Sequence, residues 1–384
     1  MSPAQASLPR VPPAGRPLDA PADRPFVAAD VGGTHVRLAL LRAAATPGQP
    51  PEVLEFEQSP CAAHAGLEDA VGAFLQRVGA DGAQGRLRAQ AAVIATAGHQ
   101  LADGRVLSAN LPWPVDLGRL RERLGLREVR LVNDFEALAH AAPWFDHSAM
   151  LRLSGPHAAA PGPVLVIGPG TGFGSALWLP GPHGGTVLAT EAGQATLAVG
   201  TARELAVADE LMRTRGHVAI EHALSGPGLV NLYRAVCALD AIKARHGTPR
   251  AVVAAALAAD DPHADEALRL FCALLGATAA DLALATGARS VVLAGGILPN
   301  LRDFLPASDL AARFLAKGVM REALEGVRVL LVEHGRLGVL GAAAWYLDAA
   351  RHHASPALSP PPRHDPAADP GLGAPTPDRT DPRR

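Results

Sequence analysis

Several protein classes are excluded by what this sequence lacks. It has only three cysteines, Cys61, Cys237 and Cys272, spread far apart. They form no CxxC pair and no Cys/His cluster at metal-ligand spacing, so neither a disulfide framework nor a zinc site is expected. Charged residues make up 19% and the net charge is -2. A nucleic-acid binder would carry a basic excess that is missing here. No uninterrupted apolar run approaches the roughly 20 residues that cross a bilayer. The first 25 residues contain no apolar core of a signal peptide. The expectation is therefore no nucleic acid, no membrane, and a reducing, cytoplasmic setting. Tyrosine is rare beside abundant alanine, proline, glycine and arginine, a bias of GC-rich coding that says little about function.

What is present suffices for large cores. Hydrophobic residues reach 48% of 384 residues, a length that favours two domains. Both ends read as disordered: residues 1–24 hold six prolines and 355–384 hold nine, with too little apolar surface to offset ordering entropy. Between them, Phe26–Asp30 reads as a strand, Val31–Thr34 as a glycine turn, and His35–Leu41 as a return strand. A strand at Glu52–Gln58, a helix at Leu67–Val78 and strands at Ala91–Ala95 and Val129–Asn133 follow. A second hairpin runs from Val164–Ile167 through Gly168–Gly172 into Phe173–Leu179. The two hairpins form a weak internal repeat. Helices at Thr201–Arg215, Gly228–Ala244, Arg250–Ala259 and Pro262–Thr286 come next. A strand at Ser290–Ala294, another at Val327–Val332 and a helix at Leu337–Ala350 complete an α/β pattern.

Several stretches carry the residue types of phosphate and sugar chemistry. Gly32-Gly33-Thr34 lets backbone N–H groups approach an anion without an intervening Cβ, and Thr34 adds a donor. Asp30, at the strand end, is suited to hold a hydrated Mg²⁺. Gly170-Thr171-Gly172 is a second such turn. It lacks the Gly-Lys-Ser/Thr of a Walker loop and the dinucleotide spacing. Each turn alone reads as an ordinary hairpin; two in one chain can grip a polyphosphate from both sides. Asn133-Asp134-Phe135 sits at a strand end, where Asp134 is either a helix cap or a base. Glu191, Gln194, Glu221, Asn110 and Asn133 are types that bridge sugar hydroxyls, although each singly reads as an ordinary polar residue at the surface.

Taken in order, these motifs resemble the bacterial glucokinase family of the hexokinase–actin-type ATPase superfamily, over about residues 26–350. Ala29–Thr34 looks like the first phosphate motif, Leu131–Phe135 like the catalytic strand end and Ile167–Gly174 like the second phosphate motif. Leu224–Tyr233 is the most specific stretch, and Leu293–Ile297 resembles the adenosine motif. The resemblance implies a two-lobed actin-like ATPase (ribonuclease H-like) fold with the active site in the interdomain cleft. It implies a small lobe of residues 25–144 plus 336–352 and a large lobe of 145–335. It implies phosphorylation of glucose at the 6-hydroxyl with ATP and Mg²⁺, and Asp134 as base. Asn133, Glu191 and Glu221 would hold hydroxyls, with Asn110 nearby. Gly32, Gly33, Thr34, Gly170, Thr171 and Gly172 would line the phosphates, and Gly295 and Gly296 the adenosine. A homodimer is compatible with it. Two positions depart from the family pattern: Gln194 stands where it has His, and His35 where it has Asn. Gln194 motivates an alternative, a kinase for another hexose. A second alternative is a non-catalytic sugar sensor on the same scaffold.

Overall fold

The computed structural model describes residues 24–354, apart from 47, 82–88, 102, 108–110, 112, 159, 183 and 333–334. The Pro-rich termini, residues 1–23 and 355–384, lie outside the described residues, as does Asn110.

The first half begins with the hairpin β1 (Phe26–Val31) and β2 (His35–Arg42), then β3 (Glu52–Pro60), α1 (Leu67–Asp81) and β4 (Ala91–Thr96). Three short strands, β5 (His99–Gln100), β6 (Arg105–Leu107) and β7 (Val115–Asp116), make a small separate sheet. Next come α2 (Leu117–Leu124), β8 (Glu128–Val132) and α3 (Asp134–His140). The second half holds β9 (Leu151–Ser154), the hairpin β10 (Val164–Pro169) and β11 (Phe173–Leu179), and β12 (Thr186–Thr190). Four helices follow: α4 (Ala202–Met212), α5 (Gly226–Leu239), α6 (Pro249–Leu257) and α7 (Pro262–Thr286). The chain closes with β13 (Ser290–Leu293), α8 (Leu310–Leu315), α9 (Arg321–Glu325), β14 (Arg328–Leu331) and α10 (Leu337–Ala354).

The two large sheets share one plan. The first has the order β3-β2-β1-β4-β8, the second β12-β11-β10-β13-β14-β9. Each opens with an antiparallel three-strand meander and continues with two strands parallel to its first. β9 is an added antiparallel edge. The repeat glimpsed as two glycine hairpins is thus a repeat of whole sheets. β1 and β10 are buried at every position, which is why they read as continuous apolar runs rather than alternating ones.

The last helix of each half packs across to the other. α3 follows β8, yet its Phe135, Leu138 and Ala139 pack with Val164, Val166 and Ala176 of the second sheet. α10 follows β14, yet its Val339, Ala342 and Tyr346 pack with Phe26, Ala28 and Val93 of the first. The two helices nearly touch: a Cβ on Gly341 would lie 1.8 Å from the Ala137 carbonyl oxygen. Only glycine permits that approach, so the crossing is fixed by backbone contact.

α7 is long and apolar enough to cross a membrane by length and composition, with mean hydropathy 1.7. Yet 72% of that window is buried inside the protein, where Leu268, Phe271, Leu274 and Leu275 join the core behind the second sheet. It is a core helix.

Most expected elements fall where the pattern placed them. α5 starts at Gly226 rather than Gly228, because Ser225 caps it and Pro227 suits its first turn. It stops at Leu239, five residues early, where Ala241 takes a φ of 55°. The small sheet, α2, β9, α8 and α9 were not expected; they are too short to develop a periodic signal.

Candidate active site

Parallel pairing puts the C-terminal ends of β1, β4 and β8 on one sheet edge. Asp30, the Gly32 turn, Thr96 and Asn133-Asp134 therefore share that edge. The same logic in the second sheet brings the Gly170 turn beside Gly295, which follows β13.

The first turn is closed by its own backbone. Gly32 N–H donates to His35 O at 3.1 Å, and Cys61 N–H donates to Thr34 O at 2.9 Å. The buried Cys61 thiol donates to Gly32 O at 3.4 Å. His35, the departure from the family pattern, leaves this closure intact because only its carbonyl takes part. Its ring lies 3.1 Å from Thr34 Oγ1. Gly33 and Thr34 are exposed at the tip, where a phosphate can reach them.

Asp30 is buried and ion-paired to Arg37 Nη1 at 3.1 Å. Gly338, at the start of α10, lies against its carboxylate, so close that a Cβ there would come within 2.5 Å of Oδ2. Among the described residues no cluster of three or more His, Cys, Asp or Glu exists to hold a metal. One carboxylate plus phosphate and water oxygens is a coordination that Mg²⁺ accepts, and Asp30 fits that limited part.

Asp134 is not the cap of α3. Asn133 is: its Oδ1 accepts from Phe135 N–H at 2.9 Å and Glu136 N–H at 3.1 Å. The simple structural role considered for Asp134 is therefore largely filled by its neighbour, although Asp134 Oδ1 also accepts from Phe135 N–H at 3.0 Å. Capping also occupies Asn133 Oδ1 and leaves its exposed amide N–H₂ as the group available to a sugar. Burial, and then the negative charge of Asp30, push the Asp134 pKa up to about 6. A carboxylate at that value is poised to accept a proton near neutrality.

The second turn is built from close backbone approaches. A Cβ on Gly168 would lie 1.7 Å from Ala294 O, one on Gly295 2.2 Å from Pro169 O, and one on Gly174 1.9 Å from the Phe135 ring. Gly295 has a φ of 113°. Phe135 thus packs on the second turn's return strand while its neighbour Asp134 faces the field of Asp30. The catalytic candidate stands between Asp30, at the foot of the first turn, and Gly174, on the return strand of the second.

Glu221 reaches the same place: its Oε2 lies 2.8 Å from where a Gly172 Cβ would be. Gly226 N–H donates to Gly170 O at 2.8 Å, tying the start of α5 to the turn. Glu191 and Gln194 are exposed on a short turn after β12. That turn packs on Phe173 through Gly193 and is joined to the Glu221 segment by Ile220 N–H donating to Ala195 O at 2.8 Å. The structure so brings Asp134, Glu191, Gln194 and Glu221 to the segments around the second turn. Gly296 is exposed beyond Gly295.

Sequence reasoning missed four supports. Arg37 pairs with Asp30, Cys61 holds the first turn, and Phe135 meets Gly174. Ser225 Oγ donates to Glu221 O at 2.7 Å and accepts from Gly228 N–H at 2.9 Å. Only Ser225 had a readable signal, a serine just before Gly-Pro at a helix start.

The whole chain can be set against known proteins. It is 48% identical to a glucokinase-like protein of Xylella fastidiosa over 86% of this chain and 97% of that one. It is 35% identical to a glucokinase of Paramagnetospirillum magneticum over 83% and 97%. The crystal structure of a glucokinase from an Antarctic psychrotroph superposes with a TM-score of 0.70 at 32% identity, covering 84% and 98%. A Balamuthia mandrillaris glucokinase in complex with glucose shares the fold, with a TM-score of 0.64 at 23% identity over 85% and 94%. The family model Glucokinase matches residues 27–349, and with these relatives it shows that the chain, an actin-like ATPase in fold, belongs to the Glucokinase family.

Proposed function

We propose that this protein transfers the γ-phosphoryl group of ATP to the 6-hydroxyl of glucose, with Asp134 as general base. Family membership supports ATP-dependent sugar phosphorylation. One observation carries the finer reading: Asp134, its pKa pushed up to about 6 by burial and the charge of Asp30, is followed by Phe135, which packs on Gly174 of the second hairpin.

The turns bind the nucleotide through backbone N–H groups, Gly32–Thr34 from the first lobe and Gly170–Gly172 from the second. Gly295 and Gly296 border the adenosine. Asn133, Glu191, Gln194 and Glu221 orient the sugar, and Asp134 takes the proton from its 6-hydroxyl. As that proton leaves, the oxygen bonds to the γ-phosphorus and the bond to ADP breaks. Mg²⁺ held through water by Asp30 would neutralise phosphate charge. The two lobes, divided near residues 144 and 336, close over the sugar and exclude water, the competing acceptor.

A second reading, a kinase for another hexose, is favoured by Gln194 on the turn that carries Glu191. An ADP-release assay with Mg²⁺-ATP across several hexoses decides between them. The highest kcat/KM is expected with glucose. A higher value with another sugar would transfer the assignment to it, and no turnover with any sugar would overturn both.

A further inference from the structure

The opposite end of the second sheet, where β13 and β14 begin, carries a concentration of positive charge with no acidic partner. Arg328 opens β14 and is 8% exposed. Arginines are almost never so buried unless paired. Its Nη1 donates to His157 O at 3.2 Å, and its Nη2 to Ser290 Oγ at 3.3 Å. Nη2 also faces His147 Nδ1 at 3.1 Å. None of these partners carries a negative charge. Nearer the surface, Arg152 donates through Nη1 to Gly155 O at 2.7 Å and faces His157 Nε2 at 3.1 Å. Arg289 lies across Gly162 at the same end. Among the described residues none of the three arginines forms an ion pair. The nearby Asp146 turns to Ser148, accepting from its N–H at 3.0 Å.

The proton inventory of this cluster is one-sided. A guanidinium has no acceptor lone pair, so His147 Nδ1 must accept from Arg328, and the neutral ring carries its proton on Nε2. Burial and the Arg328 charge hold the His147 pKa below its usual value, which keeps the ring neutral. Both His147 Nε2 and Arg328 Nε are buried without a hydrogen-bond partner. Two buried donors thus lack acceptors in one cluster, beside a cation that lacks an anion. Leaving such donors unpaired is costly. A water molecule would satisfy the bonds; an oxyanion would satisfy the bonds and the charge together. The exposed Arg152 and His157 at the rim, above Arg328 and Ser290, give such a ligand an approach.

We propose that Arg328, His147 and Arg152 form a binding site for a tetrahedral oxyanion, inorganic phosphate or a phosphomonoester, remote from the catalytic turns. The separation follows from topology. The second turn and Gly295 lie at the C-terminal ends of β10 and β13, whereas Arg328 and Ser290 occupy the first positions of β14 and β13. A guanidinium fork is the donor geometry that matches phosphate oxygens.

Titration calorimetry with inorganic phosphate tests this, run on the full chain with glucose and ADP saturating so that the cleft is filled. The expected result is one phosphate per chain. Arg152→Ala, on the exposed rim, should weaken it about tenfold or more. Arg328→Met should abolish it, in protein shown by circular dichroism to be folded. If Arg328→Met does not fold, Arg152→Ala alone decides. No binding to the wild type, or unchanged binding to Arg152→Ala, overturns the proposal. Glucose 6-phosphate in place of phosphate separates the two sources: tighter binding of the ester assigns a phosphomonoester, tighter binding of the inorganic ion assigns phosphate.

Discussion

The two halves of this molecule repeat one sheet plan but spend their matching hairpins differently. In the first, the residue two before the turn glycine is Asp30, paired in register with Arg37. In the second, the corresponding residue is Gly168, paired in register with Gly174. The first hairpin carries charge; the second carries none and instead lets backbones touch. A Cβ on Gly168, the counterpart of Asp30, would sit 1.7 Å from Ala294 O, whereas the turn glycines Gly32 and Gly170 both have room for one. Duplicated architecture has thus been divided into an electrostatic side, whose Asp30 adds to burial in raising the Asp134 pKa, and a packing side, whose backbones are in close contact. The turns themselves are alike; the difference lies in the strand pairs that flank them, Asp30–Arg37 in one and Gly168–Gly174 in the other.

The largest expected effect breaks the electrostatic side. Asp134→Asn should lower kcat by about 10²–10⁴ with little change in the sugar KM, because a base acts in the transition state. In the wild type, kcat/KM should fall as pH drops through about 6, where Asp134 takes up a proton. Stability should move the other way. The folded pKa lies above the unfolded one, so the protonated form is favoured by folding. That contribution is full below about 3.8 and is lost as pH rises through about 6. At neutral pH the Asn variant should therefore be more stable by ~1–2 kcal/mol, after a discount for partial exposure and for the lost bond to Phe135. A urea melt at pH 7.5 and one at pH 5 read this, and equal stabilisation at both would deny Asp134 its raised pKa.

The packing side is broken by adding one methyl group. Gly168→Ala should cost at least ~3 kcal/mol or prevent folding, since the clash is with backbone that cannot swing away. Gly170→Ala meets nothing within 4 Å and should change stability by no more than ~1 kcal/mol. It should nevertheless raise the KM for ATP, because the methyl occupies the face a phosphate approaches. Gly32→Ala should behave like Gly170→Ala. A Gly168→Ala protein as stable as the wild type would erase the distinction between the two hairpins.

How much of this division was legible beforehand follows from its physics. The hairpins, the strand ending at Asp134 and helix α7 were readable because period and glycine content are local. The repeat was visible only as two turns, since parallel pairing of β4, β8, β13 and β14 joins residues far apart in sequence. Asp134 was found, but its escape from a mere capping role was not, because which of two adjacent residues caps a helix depends on backbone angles. Arg37, Cys61 and Phe135 were invisible for the same reason. An arginine on a strand, a lone buried cysteine and a phenylalanine near a helix start mean nothing until the fold gives them neighbours.

The smallest effect concerns how each turn is held. The second is tied through its backbone, Gly170 N–H to Gly172 O and Gly226 N–H to Gly170 O, while the first has an added side-chain tie from Cys61. The backbone bond from Cys61 N–H to Thr34 O survives any substitution at 61, so the turn should persist. Cys61→Ala gives up one weak bond and leaves a small void, about 1 kcal/mol. Cys61→Ser looks milder but should be worse. An oxygen sits nearer its Cβ than sulfur does, so the hydroxyl falls short of Gly32 O and is left buried without an acceptor at the ordinary distance. The expected order of melting temperature is wild type, then Ala, then Ser. Ser above Ala would mean that the first turn shifts to meet the hydroxyl, and that it is the more mobile of the two turns.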